Sequence, residues 1–169
     1  MLEETLNVAN HKCRANVSIA SGIPMVFLHG YSYTSEIWKH ISIMELLETK
    51  NLPFLFLDMP YGAKSQCQPH NRSIEANVAV VFESVKAFFG ESVPLLIDAS
   101  LGAHMSLQYA ARHPVKGLLL VGATRVLEDS LIKAFNHFTF PVRLILGSED
   151  RIASLEDYES WQISCLVRS

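Results

Sequence analysis

The chain has 169 residues, 49% of them hydrophobic and 18% charged, with a net charge of −3. That is enough for a single domain over residues 1–169 with a real core, and too apolar for a disordered segment. Lys and Arg are scattered along the chain, so no nucleic acid and no anionic membrane surface is an expected partner.

Met1-Leu2-Glu3-Glu4 opens no hydrophobic segment and the apolar runs are no longer than a strand, which predicts neither a signal peptide nor a membrane span and hence a cytoplasmic protein. Cys13, Cys67 and Cys165 are odd in number, far apart and free of any C-x-x-C pair. They read as buried or free thiols in a reducing compartment, not as a disulfide framework or a zinc site. No metal or other cofactor is expected, because the Asp98 to Ser100 neighbourhood has no second and third ligand at usable spacing.

Leu6 to Val8 and Lys12 to Ile19 are short β-like runs about an Ala9-Asn10-His11 turn, an antiparallel start. Ile23 to Leu28 is a continuous apolar run of the kind buried on both faces, ending at His29-Gly30-Tyr31. Thr34 or Ser35 caps a predicted helix with Ile37, Trp38, Ile41, Met44 and Leu47 on one face. Phe54 to Leu57 is a second buried strand, followed by the Asp58 to Ser65 loop.

Ser73 to Phe89 is the plainest helix, with Val78, Val81, Phe82, Val85 and Phe88 as its apolar stripe and Gly90 as its stop. Val93 to Ile97 is a strand and Leu101 to Arg112 a helix; His113-Pro114 ends the latter. Val115 to Val121 is a strand, Leu127 to Phe138 a helix and Val142 to Leu146 the next strand, with Gly147 to Asp150 as its loop. Strands alternating with helices predict an α/β fold built on an open, mainly parallel sheet with helices on both faces. In such sheets sites form at the C-terminal ends of strands, where Tyr31, Asp58, Ser100, Thr124 and Asp150 fall.

Ser100 lies where a strand meets a helix, in Asp98-Ala99-Ser100-Leu101-Gly102. Serine there is either a plain helix N-cap or the hydroxyl of a nucleophile elbow, lifted above the sheet edge with a helix N-terminus aimed at it. Acyl transfer by a serine needs a base, an acid to orient the base, and two donors for the oxyanion. The N–H groups of Leu101 and Tyr31 are candidate donors and Asp150, two strands after the elbow, is the candidate acid.

Five segments together give the chain a likeness to a known family. They are Phe27-Leu28-His29-Gly30-Tyr31 with Trp38 following, Leu57-Asp58-Met59-Pro60 with Ser65, the elbow, Ala111-Arg112-His113-Pro114 running into Gly117 to Val121, and Leu146 to Asp150. In order and spacing they resemble α/β-hydrolase-fold proteins, in particular the small lidless branch of cytosolic serine hydrolases. The resemblance implies an esterase or deacetylase type of activity, with Ser100 as nucleophile and Asp150 as acid. It also implies a structural role for His29. Only one helix fits between the strand ending near Ala123 and the one beginning near Val142, so no cap domain is expected.

Three positions depart from that pattern. Asp98 stands where the family has a glycine two residues before the nucleophile, and Tyr61 and Ala63 replace glycines of the loop after Asp58. The family's histidine follows its acid by roughly 25 to 30 residues, whereas Arg151 to Ser169 holds none. At most a final strand is legible there, in Ile163, Cys165, Leu166 and Val167 after Tyr158 and Trp161, so the closing helix and histidine loop are read as missing. Exposed apolar surface at that edge predicts lower solubility, or dimerisation through the edge.

His104 reads as a packing residue on the elbow helix and His113 as a helix C-terminal residue; His11, His40, His70 and His137 are assigned to surface turns, helices and loops. Asp58 reads as a tether of its own loop, and Trp38, Phe82 and Phe88 as core. Three functions remain open: hydrolysis of small acyl esters, thioesters or acyl-amides through an acyl-serine; acyl transfer by the same residues; and a base-less relative that only binds its ligand or partner.

Overall fold

The structure is a computed structural model that describes residues 2–126, 128, 131, 133–134 and 138–153. Its first two strands, β1 (Leu2–Val8) and β2 (His11–Ser18), form an antiparallel hairpin in which Val8 faces His11 and Leu2 faces Val17. Ala9 and Asn10 between them both have positive φ, 46° and 62°, the backbone that a two-residue hairpin loop needs to match strand twist.

The remaining strands are β3 (Met25–Leu28), β4 (Phe54–Leu57), β5 (Leu95–Ala99), β6 (Gly117–Val121) and β7 (Val142–Ile145). One sheet results, in the order β1-β2-β4-β3-β5-β6-β7. β2 pairs antiparallel with β4, and every pairing from β4 to β7 is parallel. Register sets the site: Leu28 is level with Leu57 and Asp98, and Ala99 with Val121, itself level with Ile145. The segments after β3, β4, β5, β6 and β7 therefore leave the sheet along one edge.

Phe54, Leu55, Phe56 and Leu57 are all fully buried, as a continuous apolar run requires when both faces of the sheet are covered. On one face Phe27, Phe54 and Phe56 pack with Trp38 of α1 (Ile37–His40) and with Met44 and Leu47 of α2 (Ile43–Thr49). Phe27 meets Phe56 edge-on at 4.8 Å and Trp38 at 5.3 Å. On the other face Val26, Leu28, Leu55, Leu57 and Leu96 join one core with α3 (Ile74–Phe89) and α4 (Leu101–Ala110). The α3 boundaries follow their signals: Ser73 Oγ accepts the Ala76 N–H at 3.3 Å, and Gly90 takes φ 61°.

Several expectations are corrected. The single helix expected after Thr34 is two, because Ser42 between them is left-handed at φ 60°, which leaves Ile41 about half exposed. Phe82 is not core; it stacks on His113 at the surface with ring centroids 4.5 Å apart, while Asn77, Val80 and Ser84 turn inward. His11 is buried, its Nδ1 bonded to the Ala9 carbonyl at 2.7 Å.

Cys13 and Cys67, read as buried or free thiols, are buried but joined in a disulfide. The reason is tertiary: Lys12 and Gln68 exchange both backbone hydrogen bonds, 2.7 and 3.0 Å, which lays the loop after β4 beside β2 and brings the neighbouring cysteines together.

Leu131, Lys133 and Ala134 of the expected 127–138 helix are helical, and the rest of that segment lies mainly outside the described residues. His137, Tyr158, Trp161, Cys165 and the expected strand over 163–167 lie outside them entirely. β6 ends at Val121 and β7 begins at Val142, so no inserted domain lies between them. Among the described residues no helix is long and apolar enough to cross a membrane.

Candidate active site

Ser100 alone connects β5 to α4, with φ 53° and ψ −119°. A serine held there costs about 1–3 kcal/mol of backbone strain, which the surroundings must over-determine. They do so from three sides. The Ser100 N–H donates to the Val121 carbonyl at 2.8 Å, and its own carbonyl accepts from the His104 N–H at 3.2 Å. Gly102 rests on the end of β3 so closely that a Cβ there would lie 2.4 Å from the Leu28 oxygen and 2.9 Å from that of His29. The Ser100 side chain makes no capping hydrogen bond to α4. Its Cβ lies 3.4 Å from where a side chain on Gly30 would begin, which sets the serine against the loop after β3.

Asp98 explains how the elbow dispenses with a glycine two residues before Ser100. Its carboxyl is fully buried, takes the Leu28 N–H at 2.5 Å and meets the Ser106 hydroxyl through its other oxygen. Burial pushes its pKa well above the usual carboxylate range, against the opposing pull of the Ser106 and Leu28 hydrogen bonds. The residue stitches β5, β3 and α4 together beneath the serine.

His29 has both ring nitrogens engaged: Nδ1 bonds the Gly30 carbonyl at 2.8 Å and Nε2 accepts the Met59 N–H at 3.0 Å. Those partners define the neutral ring with its proton on Nδ1. Burial lowers its pKa, overriding the Gly30 bond and the Asp58 charge, which act the other way. The Tyr61 hydroxyl donates to the His29 carbonyl at 2.5 Å. His29 is thus a strut of the Gly30-Tyr31 loop, as its place in the sequence implies.

Asp58 is a tether: Oδ1 accepts the Ser35 N–H at 2.7 Å, Oδ2 accepts the Gln66 N–H at 2.9 Å, and Arg14 stands 3.4 Å away. Burial works to raise its pKa, but the Ser35 and Gln66 bonds and the Arg14 charge outweigh it and hold the carboxyl below its ordinary value.

The four residues singled out by sequence fall at the same sheet edge. Leu101 is the first residue of α4, whose N–H has no acceptor within the helix. Tyr31 follows Gly30 in a loop pinned by the Tyr33 N–H on the Gly30 carbonyl, 3.1 Å, and the Ala63 N–H on the Tyr31 carbonyl, 2.8 Å. Leu101 and Tyr31 line one cleft. Asp150 follows β7, and its Oδ2 lies 3.0 Å from where a Cβ on Gly122 would sit, one residue beyond the Val121 carbonyl that holds Ser100. Its Oδ1 accepts the Ala153 and Ile152 N–H groups at 3.0 and 2.9 Å, which lowers its pKa and keeps it ionised.

Sequence reading missed Arg72, Met105 and Arg125, which line the same cleft. None carries a local signal, since each reaches the cleft only through the packing of its element.

Three other histidines are held by contacts of their own. His104 is fully buried 3.7 Å from Glu128, His113 stacks on Phe82, and the His70 Nε2 bonds the Ser65 carbonyl at 3.2 Å.

No family model matches the chain. Protein ABHD14A of Danio rerio is 28% identical over 99 residues, 59% of this chain and 36% of that protein. Protein ABHD14A of Homo sapiens is 24% identical over 139 residues, 81% of this chain and 51% of that protein. The chain thus spans about half, or less, of the length of these curated relatives. Among solved structures, one described as a "predicted CIB-like hydrolase from Thermoplasma acidophilum" superposes with a TM-score of 0.82 at 17% identity, over 96% of this chain and 81% of that one. The chain has the α/β-hydrolase fold. Within that fold Ser100 occupies the turn between β5 and the helix after it, and the Gly30-Tyr31 loop faces it from the neighbouring strand β3.

Proposed function

We propose that this α/β-hydrolase-fold domain is a serine hydrolase cleaving small acyl esters, thioesters or acyl-amides through an acyl-serine on Ser100. The observation that carries the reading is a serine strained to positive φ whose side chain caps nothing, seated between Gly30 and the start of α4. In this reading Ser100 gives its proton to a base oriented by Asp150 and its oxygen attacks the acyl carbonyl while the Leu101 and Tyr31 N–H groups hold the oxyanion; the C–O, C–S or C–N bond then breaks, the alcohol, thiol or amine leaves with that proton, and water releases the acid from the acyl-serine.

One observation favours a second reading, a site that binds acyl compounds without turnover. The ring of His29, in the loop that faces Ser100, has both nitrogens engaged by backbone groups, and a site whose serine meets no base keeps only the residual rate of the oxyanion donors.

The test is intact mass before and after a serine-reactive phosphonate, with Ser100→Ala as control. One adduct on the 18.9 kDa chain that disappears in the variant supports an activated Ser100. No adduct on either protein sinks the hydrolase reading and leaves the binding one.

A further inference from the structure

The cleft beside Ser100 has a volume of about 420 Å³, the size of a small-ligand pocket. Tyr31, Ile74, Leu101 and Met105 give it apolar walls, and Arg72 and Arg125 are the only cations among the described residues of its lining. We propose that Arg72 and Arg125 recognise a carboxylate, so that the acyl group taken by this site is that of a dicarboxylic acid with one free end.

Arg72 is built in rather than loose. Its Nη2 donates to the Tyr31 hydroxyl at 3.0 Å, and its guanidinium lies 5.6 Å from the centre of the Tyr31 ring. The residues on either side of it are clamped by buried Asn77, whose Nδ2 donates to the Asn71 and Ser73 carbonyls at 3.0 and 2.7 Å. The Asn77 Oδ1 accepts the Tyr61 N–H at 3.2 Å, tying the same side chain to another wall of the cleft. Among the described residues no carboxylate stands within ion-pair distance of Arg72. Arg125 is paired with Glu128, 2.6 Å from Nη2 to Oε1, yet its side chain is 63% exposed and retains further donors for a ligand.

Among the described residues, the two guanidinium groups and the Glu128 carboxylate leave a single positive charge at the cleft. That balance matches a monoanionic carboxylate on a hydrocarbon chain better than a dianionic phosphate. The planar guanidinium fork matches a carboxylate geometrically as well. The naming of the ligand as an acyl group rests on the proposed role of Ser100; binding of the anion does not.

The experiment uses the full chain carrying Ser100→Ala, titrated with monomethyl glutarate, dimethyl glutarate and inorganic phosphate by isothermal calorimetry. A charge-assisted contact predicts that monomethyl glutarate binds about tenfold tighter or more than its neutral dimethyl ester. Arg72→Gln and Arg125→Gln should each remove about tenfold of that affinity, and Arg72→Lys should restore part of it. Both arginines are exposed, so a folded variant is expected; an unchanged circular dichroism spectrum checks it.

Equal binding of the two esters, no binding of either, or arginine variants that bind as before would each overturn the proposal. Phosphate bound more tightly than monomethyl glutarate, and lost with Arg72, would overturn the carboxylate assignment in favour of a phosphorylated ligand. Anion binding that persists in a chain whose wild type takes no phosphonate would sink the hydrolase reading alone.

Discussion

The two halves of the candidate catalytic machinery are held in opposite ways. Ser100 is fixed by core packing: Gly102 lies flat on β3, Asp98 bonds two elements from full burial, and Val121 holds the serine's N–H. Asp150 is fixed by an exposed turn, through hydrogen bonds to residues two and three positions further along the chain. Backbone strain such as that at Ser100 needs rigid support, whereas an exposed carboxylate such as Asp150 can be held by a local turn. Disturbing the turn at Ser100 should therefore cost the whole fold, and disturbing Asp150 should leave the fold intact.

The largest effect is expected from Gly102→Ala. The new Cβ would meet backbone oxygens on β3, which do not yield as a flexible side chain would, and overpacking of this kind costs about 3 kcal/mol or more. Urea unfolding checks it; a midpoint unchanged from wild type would show that the elbow is not wedged onto β3.

Asp98 comes next. Asp98→Ala leaves the Leu28 N–H and Ser106 hydroxyl without their buried acceptor, at about 1–3 kcal/mol. Asp98→Asn keeps both contacts and removes the titration. Because burial raises the folded-state pKa above the unfolded one, the stability contributed by the protonated carboxyl is complete below the unfolded carboxyl pKa. It is lost as pH rises through the raised folded pKa. The advantage of wild type over Asp98→Asn should thus shrink with rising pH in parallel melts, and a constant difference would mean that Asp98 does not titrate with folding.

The smallest effect on stability belongs to Asp150→Ala. Its unfolding midpoint should match wild type, while phosphonate labelling of Ser100 slows. A large drop in stability would abolish the contrast between the two halves.

Much of this architecture is legible residue by residue. The run Phe54 to Leu57 announces a buried parallel strand because two-sided burial favours apolar side chains. Ser73 and Gly90 bound α3 through capping chemistry that acts over a single turn. Left-handed Ser42 escapes such reading, since serine has no preference for that backbone and apolar spacing runs through it unbroken. Phe82 escapes it too: helical periodicity cannot tell a core ring from one stacked on His113 at the rim.

What the sequence by itself determined is the order and type of the elements and the position of Ser100 at a strand-to-helix junction, all products of local periodicity and turn chemistry. Tertiary structure alone decided that Cys13 meets Cys67 and that Asp98 accepts the Leu28 N–H. It also brought Arg72 and Arg125 to one cleft. These pairings join residues far apart in the chain through sheet order and register, which no local pattern of side chains encodes.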